Sequence, residues 1–592
     1  LLKEHSKTKI AIRDMEINNA DDLLSTKTNR SFLPTNFSFS TWNEIAPFFN
    51  ELNDRSINSV DELHKWLLDR SELEAAVQED FGWRYIRMSC DTTNEQLSHD
   101  YNFFVTEIQP QLSPYSNDLD LKLLGCKFLE EFNDPRFQIV IRQIRKRVEI
   151  FRDINIPLIS ELQQKEQEFA AISGAMTIHL DGKEITMQQA GNYLEMPDRV
   201  KREEVYRKMM NRRLQDQEKL DNLFDELVKL RHQIALNADF KNYRDYMFAA
   251  LGRFDYNADD CFKFHDAVAK YLVPIASKIE EQHKSILGVD TYRPWDVLAE
   301  TKDAKPLRPF TDGNDLMEKS IACFNEMDPF LGSCLNALKV ENRLDLESRK
   351  GKAPGGYNYP LYETGMPFIF MNSTNTLRDL VTIVHEGGHA VHSIVDKPLE
   401  LVEYKSLPSE VAELASMSME LMSMEYWNHF FTDENDLKRA RKKHLEDVLK
   451  GLPWIAAVDA FQHWIYLNPT HTAAQRAEEW TNIYNRFSSD IVDWSGLENV
   501  KANIWQKQLH IFEVPFYYIE YGLAQLGAIA VWKNFKADQK LALQKYIAAL
   551  SLGYTKSISE IYETAGVKFD FSDNYVNQLA SFVSDELSKM KN

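Results

Sequence analysis

The chain is poor in chain-breaking residues, with only 21 glycines and 20 prolines among 592 residues, below the usual roughly 7 % and 5 %. That scarcity excludes collagen-like and Pro-rich architectures and predicts a mostly helical fold. Cysteine is scarce too. The five thiols (Cys90, Cys126, Cys261, Cys323, Cys334) are odd in number and form no C-x-x-C pair, which excludes a disulfide scaffold and argues against a cysteine-ligated metal. No stretch approaches 18 uninterrupted apolar residues, so no membrane-spanning helix is expected. The first thirty residues hold no apolar h-region, so no secretory signal is expected there and a cytoplasmic location is. Basic side chains are outnumbered, 69 against 90 acidic, for a formal charge of −21. Nucleic acids and anionic membranes are bound through clustered Lys and Arg, so neither is an expected partner.

What remains is a large globular protein, 44 % hydrophobic and able to bury an extensive core. Residues 1–30 are polar and read as a loose extension. Residues 31–196 read as an N-terminal helical domain, with apolar residues at three and four spacing such as Val60, Leu63, Trp66 and Leu67. Near its end Thr177–Thr186 places two β-prone arms around Asp181-Gly182, a type I′ hairpin signal. Helical patterning then dominates 197–592, except from Lys350 to Asn375. That segment contains Gly351, Gly355, Gly356 and Gly365, then the compact apolar run Phe368-Ile369-Phe370-Met371. The run predicts a short strand able to pair with an extended peptide. Gly355, Gly356 and Tyr357 are then the expected substrate-binding loop.

The chemistry centres on His385-Glu386-Gly387-Gly388-His389, an H-E-x-x-H sequence. Residues four apart share a helix face, so His385 and His389 can present imidazole nitrogens to one ion while Glu386 stands beside it. Thr376 with Asp379 forms a capping-box pattern ahead of it, Leu380, Ile383, Val384, Val391, Ile394 and Val395 supply an apolar stripe, and Pro398 follows. Catalytic zinc needs a third protein ligand and an open position. The metzincin third histidine is absent, because that position is Val395. A carboxylate on the next helical segment, which Pro408 opens, is expected instead. Spacing favours Glu413, with Glu410 still open. His392, one turn beyond His389, is expected to be structural or to support a ligand, and Glu420 to orient a ligand histidine or face solvent.

These motifs resemble the thimet oligopeptidase family, in its oligoendopeptidase F-like branch. The resemblance rests on Gly351-Lys352-Ala353-Pro354-Gly355-Gly356-Tyr357, on Pro367–Asn372, on His385–His392, on Glu413-Leu414-Ala415-Ser416, and on His510 with Phe516-Tyr517-Tyr518-Ile519-Glu520-Tyr521. It implies a mostly α zincin-type peptidase, with a small β element near the active site and an N-terminal helical region enclosing a substrate channel. It also implies one zinc ion per chain held by His385, His389 and Glu413. Further, it implies tyrosines of the 517–521 segment and His510 acting on substrate or oxyanion, with Tyr521 and Tyr518 on one helix face. The expected function is hydrolysis of internal bonds in short peptides, with Glu386 as general base. A non-catalytic peptide-binding protein with a vestigial zinc site, and a zinc hydrolase of other amides, are the competing readings. Monomer and homodimer both stay open.

Overall fold

The computed structural model describes residues 23–590 except 27, 29, 302, 303, 350 and 354. The polar extension expected over 1–30 lies largely outside these residues. Among the described residues the chain is mostly helical, with two small sheets. It divides into two compact units. One takes the described parts of Leu1–Ile156, Arg308–Leu437 and Gly527–Phe569; the other takes those of Pro157–Leu307, Lys438–Leu526 and Asp570–Asn592.

The elements used below are, in chain order, α1 (Val60–Cys90), β1 (Thr177–Leu180), β2 (Lys183–Thr186), α2 (Ala258–Ala267), α3 (Gly313–Met327), α4 (Pro329–Val340), β3 (Leu344–Glu347), β4 (Tyr357–Tyr359), β5 (Phe368–Ser373), α5 (Leu377–Val395), α6 (Ser409–Ser423), α7 (Glu434–Leu467), α8 (Leu509–Glu513) and α9 (Tyr518–Ala537).

In the first unit α1 buries Leu63, Trp66 and Leu67 into an apolar core shared with Phe49, Ile108 and Ile141. Its C-terminal part meets a three-stranded sheet in the order β3-β5-β4, with β5 parallel to β3 and antiparallel to β4. A Cβ on Gly82 of α1 would stand 2.6 Å from the Tyr359 ring, so only glycine lets helix and strand approach this closely. The four apolar residues Phe368–Met371 are all buried, as expected of a strand covered on both faces. The sequence expectation fails in one respect. Both edges of β5 are taken by β3 and β4, so an extended peptide cannot pair with it; β4 is one edge of the sheet.

The second unit contains the hairpin. β1 and β2 pair antiparallel with Leu180 opposite Lys183, and Asp181 (φ 51°) and Gly182 (φ 77°) both occupy the left-handed region that a type I′ turn requires. No described helix is long and apolar enough to cross a membrane.

Candidate functional site

Helix α5 starts where its capping box puts it. Thr376 accepts from the Asp379 amide, and the Asp379 carboxylate accepts from the Thr376 amide at 2.8 Å. Leu380, Ile383, Val384, Val391, Ile394 and Val395 fill its buried stripe. Beside it lies α6, beginning directly after Pro408. Their approach is close because position 388 lacks a side chain: a Cβ there would fall 2.7 Å from Ser416 Cα and 2.8 Å from the Ala415 carbonyl oxygen. At Gly387 the same atom would meet the Phe324 ring of α3 at 2.8 Å. The paired glycines serve two different contacts, and the one at 388 is backbone against backbone.

That approach carries Glu413 to the histidines. Glu413 Oε2 is 3.3 Å from His385 Nε2 and 3.7 Å from His389 Nε2, and one donor atom from each of the three side chains lies within 4.8 Å of the others. Two imidazole nitrogens and a carboxylate oxygen around one tetrahedral zinc would stand roughly 3.3 Å apart, so spacing and donor chemistry both fit that ion. Two of the three donors are braced by a further side chain. Ser416 Oγ donates to Glu413 Oε2 at 2.9 Å, and His385 Nδ1 stands 2.6 Å from Glu420 Oε1. Tyr546 and Tyr562 donate their phenolic hydrogens to the carbonyls of Ala415 and Glu410, at 2.8 and 2.9 Å, holding α6 in place. No sequence pattern pointed to these two tyrosines.

Burial and charge oppose each other here. Burial acts to lower the His385 pKa, but the Glu413 and Glu420 carboxylates outweigh it and hold the ring well above its usual value. Burial dominates at His389, lowered to about 4, and at His392, lowered to about 3. Burial likewise pushes the Glu386 carboxyl up to about 7, against the pull of His385. The Glu386 carbonyl accepts from Asn358 Nδ2 of β4 at 3.3 Å, tying the sheet edge to the helix that carries the motif. Glu410 is buried on α6 but is not in the converging group, and neither is His392.

The glycine-rich segment is pinned on two sides. Asn372 Nδ2 donates to the carbonyls of Ala353 and Gly355, at 2.8 and 2.9 Å. Lys352, fully buried, reaches the Met371 carbonyl and Asp345 Oδ1, at 2.5 and 2.8 Å. Gly355 has φ +100°, with open space where a side chain would be, whereas a Cβ on Gly356 would lie 3.3 Å from the Phe370 carbonyl. The Tyr357 phenol, 2.5 Å from Ser89 Oγ, points to α1.

The remaining predicted residues form their own cluster in the second unit. Tyr521 Oη is 3.4 Å from His510 Nε2, Gln508 Nε2 is 2.8 Å from His510 Nδ1, and Trp454 Nε1 donates to Gln508 Oε1 at 3.0 Å. The rings of Tyr517 and Tyr518 both pack against Tyr521, with centroids 5.2 and 5.4 Å away. Phe516, immediately before them, has φ +67°, a strained value for a bulky residue. Its amide donates to Gln462 Oε1 at 2.5 Å, and its carbonyl accepts from Arg253.

Comparison with known proteins bears on the family of the whole chain. The chain is 26 % identical over 402 residues to oligopeptidase PepF of Bacillus subtilis (strain 168), a match spanning 65 % of this chain and 56 % of that relative's own length. It is 22 % identical over 508 residues to an oligoendopeptidase F homolog of Borreliella burgdorferi, covering 81 % and 83 % of the two chains. Among solved structures, PZ peptidase A with an inhibitor superposes with a TM-score of 0.89 at 28 % identity, over 94 % of this chain and 99 % of that one. An oligoendopeptidase F X-ray structure gives 0.88 at 28 % identity, over 95 % and 99 %. The Peptidase M3 N-terminal domain matches residues 32–151, and Peptidase family M3 matches residues 192–581. The chain therefore belongs to peptidase family M3, among the homologues of oligoendopeptidase F.

Proposed function

We propose that this protein is a zinc-dependent endopeptidase that hydrolyses internal bonds of short peptides. The observation that carries the reading is the convergence of His385 Nε2, His389 Nε2 and Glu413 on one point, from two helices locked together at Gly388. The chemistry a bound zinc ion supplies there is Lewis acidity, which makes water a nucleophile near neutral pH and polarises a carbonyl. His385, His389 and Glu413 would hold it. Glu420 fixes the His385 ring by accepting from Nδ1–H, leaving the Nε2 lone pair toward Glu413.

Glu386 adjoins the first ligand on the same helix and is buried. Its carboxylate takes a proton from the attacking water and passes it to the nitrogen of the leaving amine. Tyr521 and His510 are assigned to the oxyanion that develops at the scissile carbonyl, with Tyr518 beside them. The resemblance and the hydrogen-bonded His510–Tyr521 pair support that assignment. The edge strand β4 is the place for backbone pairing with an extended peptide; Tyr357 is its first residue, and Gly355 and Gly356 lead into it.

The test is zinc analysis combined with cleavage of a library of unmodified short peptides. Wild type should contain zinc, lose cleavage on chelation and cut internal bonds. Glu386→Gln should keep the zinc and lose turnover. A zinc-loaded Glu386→Gln that cleaves at the wild-type rate would overturn the general-base role, and full activity after chelation would overturn the metal role.

A further inference from the structure

We propose a second zinc-type site, in the interior of the other unit, formed by Cys261, Asp459 and His463. The argument starts from helical spacing. Cys261 and His265 are four apart on α2, and Asp459 and His463 are four apart on α7, so each helix presents a pair of donors on one face. The fold turns these faces together: His265 Nε2 lies 2.8 Å from Asp459 Oδ2, and His463 Nε2 lies 3.3 Å from the same oxygen. One donor atom each from Cys261, Asp459 and His463 falls within 4.8 Å of the others. The four residues are between 0 and 3 % exposed.

Hydrogen bonding leaves this cluster unfinished. Asp459 Oδ1 and both ring nitrogens of His463 have no hydrogen-bond partner among the described residues, although buried polar groups are nearly always satisfied. Asp459 is a fully buried carboxylate whose ion-pair neighbours, among the described residues, are these two histidines and no Lys or Arg. A buried anion demands a compensating charge, and a divalent cation at this point supplies it and takes up Asp459 Oδ1 and one of the two His463 ring nitrogens. Thiolate sulfur, imidazole nitrogen and carboxylate oxygen suit zinc rather than magnesium or calcium. In this arrangement Cys261 Sγ, Asp459 Oδ1 and a ring nitrogen of His463 bind the ion. His265, through Nε2–H on Asp459 Oδ2, positions the carboxylate.

The surroundings make the site structural. The Phe262 and Phe516 rings lie 4.8 and 5.3 Å from the His463 ring, and Phe487 lies 6.0 Å from His265, an apolar wall that excludes water. Phe516 is the strained residue that precedes Tyr517 and Tyr518, so an ion stapling α2 to α7 also supports the start of the tyrosine cluster. The lack of a C-x-x-C pair argued against a cysteine metal site, but here helical four-spacing on two elements supplies the pairs that a loop motif otherwise would.

The test separates the two sites by variant. A His385→Ala/His389→Ala protein, which has lost the peptidase ligands, should still retain about one zinc per chain after gel filtration. With Co2+ it should show a sulfur-to-cobalt charge-transfer band in the near ultraviolet, and adding Cys261→Ala should remove both. Zinc should raise the Tm of the double variant and not that of the triple variant. If Cys261→Ala does not fold, the cobalt band of the double variant alone decides. A double variant with no bound metal and no thiolate band overturns the proposal, whatever the activity of wild type.

Discussion

Glu420 Oε1 stands 2.6 Å from His385 Nδ1, across 35 residues of chain. When the ring is neutral with its hydrogen on Nδ1 toward Glu420, the nitrogen that faces Glu413 is the one without the proton, the state a metal ligand needs. Glu420→Gln keeps the shape but removes the anionic acceptor. It should weaken zinc binding about 10–100-fold, measured by competition with a chelator of known affinity, with helix content unchanged. Unaltered affinity would show that Glu420 is only a buried carboxylate.

The two glycines of the motif should respond differently to the same methyl group. Alanine gains about 1 kcal/mol over glycine in a helix. At 388 the new Cβ strikes backbone, Ser416 Cα at 2.7 Å and the Ala415 carbonyl at 2.8 Å, and neither moves without moving α6. Gly388→Ala should therefore destabilise by about 1–3 kcal/mol and weaken zinc binding, because Glu413 rides on α6. At 387 the nearest atoms are the outer ring carbons of Phe324, at 2.8 and 3.0 Å, and a ring can tilt. Gly387→Ala should cost less in urea denaturation and leave zinc affinity close to wild type; equal losses would refute the distinction.

The parts of this site written in local spacing were legible in the sequence. Thr376 and Asp379 announce the start of α5, the four-spacing of His385 and His389 announces their common face, and Asp181-Gly182 announces its turn. Relations between distant segments were not. The run Phe368–Met371 reads as a strand, yet nothing local says that β3 and β4 both flank it and deny it to a peptide. Likewise Gly387 and Gly388 look equivalent until the neighbours, Phe324 and Ser416, are in place. Cys261 and Asp459 each look like ordinary helix residues nearly two hundred positions apart, and only the packing of α2 on α7 makes them neighbours.

Acid should loosen the loop ahead of the motif through Asp345. Burial acts to raise its pKa, but hydrogen bonds from Arg349, Lys352 and Cys90 outweigh burial and hold it at about 2. The folded value lies below the unfolded value of about 3.9, so the group stabilises the fold above that pH, and the stabilisation is lost as pH falls toward 2. Solvent screening of this partly exposed group keeps the contribution to about 1 kcal/mol. Asp345→Asn should lower the denaturation midpoint most above pH ~5, and the gap to wild type should close as pH falls through this window. A gap constant with pH would show that the loss comes from packing.

Tyr521 belongs to a polar chain whose proton positions can be deduced. An indole nitrogen only donates, so Trp454 Nε1, 3.0 Å from Gln508 Oε1, fixes which end of that amide is oxygen. The other end, Nε2, therefore donates to His510 Nδ1 at 2.8 Å. A neutral His510 then carries its hydrogen on Nε2 and directs it at Tyr521 Oη, 3.4 Å away. The phenol accepts from His510, so its own hydrogen is not used in that bond, and an oxyanion donor must have a hydrogen to give. Tyr521→Phe should lower kcat by about 10²–10³ with little change in KM or stability. Gln508→Leu, which removes the group that sets the His510 tautomer, should lower kcat less. Because both act through one hydrogen, the double variant should be no slower than Tyr521→Phe alone. Additive losses in steady-state kinetics would mean that Gln508 and Tyr521 act separately and that the relay plays no part in turnover.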